Sequence, residues 1–287
     1  MIATHPDSVS ARTQPRSTNV LQRLLAERRP AVMGILNVTP DSFSDGGKFL
    51  DPDVAATHAA RLVQEGADIL DVGAESTRPY GGARPVSLEE EQERLAPVLP
   101  AAIALGLPVS IDTIKAKIAA WALAQGAAIV NDVWGLQRDP DMARVVAEHG
   151  VPVIIMHNRE AADPSIDIIA DIEAFFARSL DIADRAGIAR EQIVLDPGIG
   201  FGKTPQQSII AIARFDAFAA FGLPLLMGLS RKRFIDSIVP SPPDRRIGGS
   251  IAGNLFAAAR GAAIVRVHDV AETVQALRVA EAIEAAR

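Results

Sequence analysis

The sequence predicts a single-domain (β/α)8 TIM barrel of the α/β class, on three observations. Eight short apolar runs recur along its 287 residues, helix-like stretches lie between them, and each run ends at or beside a polar residue. Strands buried on both faces read as continuous apolar runs, and a parallel barrel carries its reactive groups where the strands' C-terminal ends meet the loops. One pattern therefore predicts both the fold and the face that holds the site.

In chain order, AVMGIL ends at Asn37, ADIL at Asp71, PVSI at Asp112, AAIV at Asn131, VPVII just before His157, IVL at Asp196, LPLLMG just before Ser230, and a second AAIV at Arg266. Helices are expected near 53–65, 87–105, 114–125, 139–149, 167–187, 205–221, 231–239, 249–260 and 271–286. Many finish at a glycine, as at Gly66, Gly106, Gly126, Gly150, Gly187, Gly222 and Gly261, which is a common helix stop before a strand. Upstream, Asn19 to Arg29 predicts a short amphipathic helix with Val20, Leu21, Leu24 and Leu25 on one stripe, closing the barrel's bottom. Residues 1–18, rich in Ser, Thr, Pro and Arg, read as a disordered tail; the division is a tail and short helix over 1–29 and a barrel over 30–287. A doubly wound open sheet is the alternative, but it places its ligand at one switch point and uses two or three strand ends. Eight polar ends favour closure.

The formal charge of −6 argues against a nucleic-acid or membrane surface, so an anionic substrate must meet local cations. The absence of cysteine excludes disulfides, thiolate nucleophiles and zinc-thiolate or iron–sulfur centres, and a reducing cytoplasm is the expected location. No apolar run has the length of a membrane span, and residues 1–29 lack the apolar stretch of a signal peptide.

The candidate chemistry sits at the strand ends. Asn37 opens the long loop NVTPDSFSDGG, and its amide oxygen suits a hard cation such as Mg²⁺ that takes its other ligands from water and substrate phosphates; an ordinary exposed turn also accounts for the loop's composition. Asp112, Asn131 and Asp196 would face the barrel mouth together and accept hydrogen bonds from an N–C–N edge such as that of an aminopyrimidinone ring. The bland readings are a helix cap for Asp112, backbone satisfaction for Asn131 and a Pro-Gly turn for Asp196. Arg231, Lys232 and Arg233 stand where a helix begins, against the helix dipole, which points to a site rather than a solvated basic face. Arg266 and His268, at i and i+2 on strand eight, occupy the usual phosphate region of this barrel and fit a di-anion or pyrophosphate. His157 reads as structural. No Ser–His–Asp set, dinucleotide fingerprint or strand-borne Schiff-base lysine is legible, leaving hard-metal-assisted chemistry on an anionic leaving group.

GILNVTPDSFSDGG, ESTRP, the Asp112 and Asn131 strand ends, DPGIGFGK, SRK and RVH, in that order, make the chain from Ala31 onward similar to the dihydropteroate synthase family. The resemblance implies condensation of 6-hydroxymethyl-7,8-dihydropterin pyrophosphate with p-aminobenzoate to dihydropteroate, with release of pyrophosphate, in folate synthesis by a homodimer. It implies Asn37 as the Mg²⁺ ligand, and Asp112, Asn131, Asp196 and Lys232 as a pterin clamp. Arg266 and His268 are then diphosphate holders, Thr77 lies near the bridging group, and Arg78, Pro79, Phe201 and Ser230 line a p-aminobenzoate pocket. Asp112, Lys232 and Arg266 carry the catalytic burden in this scheme. The chain departs from the family's commoner residues at Tyr80, Ile199 and Asn158–Arg159, and it lacks the doubled Phe of sulfonamide-resistant relatives, so sensitivity to sulfonamides is expected. A corrinoid-dependent pterin methyltransferase shares barrel and clamp but has no diphosphate to hold, which Lys232, Arg266 and His268 argue against; an inactive paralogue should lack one of these residues, and none is missing.

Overall fold

In a computed structural model of the chain, residues 20–27, 29–38, 52–75 and 86–287 are described. Eight parallel strands close into a barrel in sequence order, β1 (Ala31–Asn37), β2 (Ile69–Gly73), β3 (Val109–Asp112), β4 (Ile129–Asp132), β5 (Val153–Met156), β6 (Ile193–Asp196), β7 (Leu225–Met227) and β8 (Ala262–Val267). The pairing of β8 back onto β1, with Met33 opposite Arg266, excludes the open sheet.

The helices in chain order are α1 (Val20–Leu24), α2 (Pro52–Gln64), α3 (Leu88–Leu95), α4 (Leu99–Ala104), α5 (Ala116–Gln125), α6 (Met142–His149), α7 (Ile168–Ala186), α8 (Pro205–Ala213), α9 (Arg233–Ile238), α10 (Ile247–Ala258) and α11 (Val270–Ala285). Two expected helices come out divided. The 87–105 stretch breaks into α3 and α4, because Pro97 has no N–H to extend α3 and Pro100 belongs in the first turn of α4. The 205–221 stretch becomes α8 followed by a 3₁₀ segment, Phe215–Phe221. The helix after β3 starts at Ala116 behind Lys115, so Asp112 is not its cap. Elsewhere local chemistry matches the ends: Asp167 accepts from Ile169 and Ala170 to open α7, and Thr204 with Gln207 forms a capping box on α8.

Outward strand residues pack against the helix ring in one large core, while inward residues near the strand starts form a separate floor. That floor comprises Ala31, Met33, Ile69, Ile129, Ile154, Val194, Leu226 and Ile264, with Leu21 of α1 buried against them and Val20, Leu24 and Leu25 packed around it. Helix α1 therefore seals the bottom of the barrel with the stripe its sequence presents.

Candidate active site

Strand side chains alternate between faces, so a residue two positions beyond a floor residue also points inward. Ile69, Ile129, Val194 and Ile264 lie in the floor. Asp71, Asn131, Asp196 and Arg266 follow each at i+2 and form the layer above, nearer the mouth. The register of β3 adds Asp112, opposite Asn131 on one side and Gly73 on the other. The barrel interior is thus apolar below and ionic above.

Arg266 stands at the centre of that upper layer. Its Nε donates to Asp71 Oδ2 at 2.5 Å and its Nη2 to Asp112 Oδ2 at 2.7 Å. Asn131 Nδ2 donates to Asp71 Oδ2 at 3.2 Å, which ties strands two, three, four and eight into one network. Burial pushes the Asp112 carboxyl up to about 7, against the pull of Arg266 and with the nearby Asp71 charge adding to the rise. Asp112 Oδ1 and Ser110 Oγ, two positions apart on β3, are buried and have no hydrogen-bond partner among the described residues. Unmet polar atoms inside a barrel are costly unless a ligand meets them.

Asp196 serves the turn and the site at once. Its Oδ1 accepts from Gly198 N at 2.7 Å, as the turn reading expects, and burial raises its carboxyl while the Lys232 charge opposes the rise. Lys232 donates from Nζ to the Ile199 carbonyl, and the same Nζ lies 4.7 Å from the centroid of the Phe201 ring. Ser230 Oγ accepts from the His268 backbone N at 3.2 Å and lies 3.1 Å from His268 Nδ1, which joins the ends of strands seven and eight.

The three cations after β7 have different fates. Lys232 turns to the 196–203 loop, whereas Arg231 pairs with Asp269, Nε to Oδ2 at 3.0 Å, and holds a left-handed backbone at φ 59°. Arg233 is exposed on α9. The expectation of three cations gathered at one site is therefore corrected: Lys232 alone turns to the 196–203 loop, Arg231 is paired with Asp269, and Arg233 is exposed.

Asn37 ends β1 on the inward parity of Ala31 and Met33 and is partly buried. Among the described residues no group of three or more His, Asp or Glu is arranged to hold a metal, so an all-protein cage is absent there. Thr77, Arg78, Pro79 and Tyr80, and most of the loop after Asn37, lie outside the described residues. Ile199 is fully buried in the core, and Arg159 pairs with Asp171 at 2.7 Å.

Two groups escaped the sequence reading. Asp71 was visible as a polar strand end, but its partnership with Arg266 spans 195 residues and has no local signature. Lys203 reads as a loop lysine, yet it is 1% exposed and bonds to His157.

A family model described as pterin binding enzyme matches residues 33–268. The dihydropteroate synthase of Bacillus subtilis is 43% identical over 258 residues, covering 90% of each chain. The Xanthomonas albilineans dihydropteroate synthase with 4-aminobenzoic acid is 44% identical with a TM-score of 0.85, covering 90% of this chain and 94% of that one. The same enzyme in complex with 7,8-dihydropteroate gives 42% identity and a TM-score of 0.82 over the same shares of the two chains.

Proposed function

This chain belongs to the pterin-binding enzyme family, and from that premise we infer that its activity is that of a dihydropteroate synthase. It joins the pterin methylene of 6-hydroxymethyl-7,8-dihydropterin pyrophosphate to the amine of p-aminobenzoate and releases pyrophosphate, a step of folate synthesis. The observation that carries the reading of the site is the upper barrel layer, where carboxylates and an amide surround one arginine above an apolar floor.

Asp112, Asn131 and Asp196 offer acceptors of the kind a pterin's N–C–N edge requires, and the unmet Asp112 Oδ1 is positioned to take one of those hydrogens. Lys232 supports the ring's carbonyl side. A guanidinium has five N–H donors, and Asp71 and Asp112 hold two of those on Arg266. The remaining three suit the oxygens of a diphosphate, with His268 beside them and Ser230 orienting its ring. Phe201 and Ser230 form the arylamine side; for Arg78, Pro79 and Thr77, which lie outside the described residues, the family resemblance implies roles at the arylamine and the bridging group.

Asn37 fits a Mg²⁺ ion as a single hard amide oxygen, since such an ion keeps waters and takes its other ligands from substrate phosphate. When bound, Mg²⁺ neutralises charge on the departing pyrophosphate. The protein's share is electrostatic. Arg266 and His268 stabilise the leaving group as the C–O bond breaks, and ionised Asp112 stabilises positive charge developing on the pterin methylene. The neutral amine nitrogen then forms the C–N bond and loses its proton, with no general base required. Among the described residues no helix is long and apolar enough to cross a membrane; a cytoplasmic homodimer completes the proposal. Turnover tests it: the purified chain with both substrates and Mg²⁺ should form dihydropteroate, a chelator should abolish the product and added Mg²⁺ restore it. Full activity after chelation would remove Mg²⁺ and the Asn37 role.

The pH dependence follows from Asp112. With its carboxyl at about 7, the Asp112–Arg266 pair gains its anion as pH rises through neutrality, so kcat/KM should fall on the acid side with a limb near pH 7. Stability has the opposite sign. The folded chain holds this proton more tightly than the unfolded chain, whose carboxyl titrates near about 3.9. The stabilising contribution is complete below that value and is lost as pH rises through about 7. An Asp112→Asn variant should lose the acid limb; a retained limb would assign it to another group.

A further inference from the structure

The loop 197–202 between β6 and α8 is held from inside by a buried lysine that the reaction scheme does not use. Lys203 is 1% exposed, and its Nζ donates to the Gly198 carbonyl at 2.8 Å and the Phe201 carbonyl at 3.2 Å, and lies 2.6 Å from His157 Nδ1. Three acceptors surround it, as many as a protonated amine has hydrogens; burial pushes this amine well below the usual lysine range, and the Asp196 charge opposes the fall. His157 is itself fixed. Its Nε2 lies 3.0 Å from Asp171 Oδ2, and its ring meets Phe175 edge-on at 4.9 Å between centroids. Since Nδ1 accepts from Lys203, Nε2 carries the hydrogen that Asp171 accepts. Burial, then the Lys203 charge, pushes His157 down to about 3, so it stays neutral and able to accept.

The two carbonyls that Lys203 grips bracket the residues Lys232 uses. Gly198 and Phe201 lie on either side of Ile199, whose carbonyl accepts from Lys232, and Phe201 supplies the ring under the Lys232 ammonium. We propose that Lys203, locked by His157 and Asp171, is a positioning residue that fixes the 197–202 backbone so that the Ile199 carbonyl and the Phe201 ring hold Lys232 in the substrate site. The assignment rests on the dihydropteroate synthase reading, and it gives His157 a task.

A double-mutant cycle tests it. Lys203→Met, in a background with Lys232 intact, should lower kcat/KM for the pterin substrate by about tenfold, and in a Lys232→Ala background the further loss should be under about twofold, because the lysine to be positioned is gone. A residue that merely supports the fold would lower kcat/KM by the same factor in both backgrounds, and that additivity would overturn the proposal. Should Lys203→Met not fold, Asp171→Asn is run through the same cycle, since its side chain is 26% exposed and it weakens the lock from outside. A loss of about threefold that vanishes with Lys232→Ala supports the proposal; no loss, or an additive one, overturns it. Chemical restoration adds a second readout. The chain has no cysteine, so Lys203→Cys unfolded, alkylated with bromoethylamine and refolded regains an ammonium at that position alone. Activity should rise at least fivefold over the unalkylated control, on the order of a recovered charge-assisted hydrogen bond; no rise counts against the role. If the wild-type chain forms no dihydropteroate at all, it is the functional reading that fails rather than the positioning.

Discussion

Arg266→Ala is expected to lower turnover by about 10³-fold, the order seen when a preorganised donor to developing charge is removed. Its guanidinium is, among the described residues, the one cation shared by Asp71 and Asp112, at 2.5 and 2.7 Å, and both carboxylates are buried. Truncation therefore does two things. It removes the fork that holds the leaving diphosphate, and it takes from two buried carboxylates the guanidinium they share, a change that costs about 3–5 kcal/mol when one partner of a buried pair is lost. The Arg266 charge opposes the burial that raises the Asp112 carboxyl, so without it the acid limb of kcat/KM should move upward in any residual activity. Arg266→Lys should recover only part of the loss, because an ammonium cannot span both carboxylates and a diphosphate in one plane. Turnover like wild type in Arg266→Ala would refute its place in the reaction.

Gly198→Ala should be the most damaging change in the loop after β6. Gly198 has φ 63°, and a Cβ there would stand 1.9 Å from the His157 carbonyl oxygen, an overlap that only backbone movement can relieve. The left-handed backbone alone costs about 1–2 kcal/mol for a residue with a side chain. With the clash added, a loss above about 3 kcal/mol is expected, or a fall in Tm of roughly 6–12 °C for a chain of this size. Gly200→Ala is the control: its φ is 83°, but the nearest atom to its Cβ is Lys232 Cδ at 3.5 Å, so the backbone term stands alone. Thermal unfolding of the two variants separates the terms, and equal Tm values would show that the β5 and β6 ends are not in contact through Gly198 as described.

The barrel was legible because its signal is local. Each apolar run, each following helix and each i, i+2 pair such as Ile129 with Asn131 or Ile264 with Arg266 lies within a few residues, and side-chain alternation turns those pairs into an inward direction. The α1 stripe at Val20, Leu21, Leu24 and Leu25 was readable for the same reason. What stayed hidden depends on closure. Asp71 and Arg266 meet only because β8 pairs with β1, and Lys203 is buried only because the ends of β5 and β6 converge on it. Composition also misled at Arg231, whose position beside Lys232 suggested a shared anion site, whereas Asp269, the residue just before α11, pairs with it. The particular substrates came from motif order, a resemblance rather than a consequence of spacing.

The most direct test counts both products from the unmodified chain. With the pterin pyrophosphate, p-aminobenzoate and Mg²⁺ supplied together, dihydropteroate and pyrophosphate should appear in equal amounts, and omission of p-aminobenzoate should stop dihydropteroate formation. Absence of dihydropteroate together with tight binding of methyltetrahydrofolate would contradict the account, since the arginine at the barrel's centre would then have no diphosphate to release.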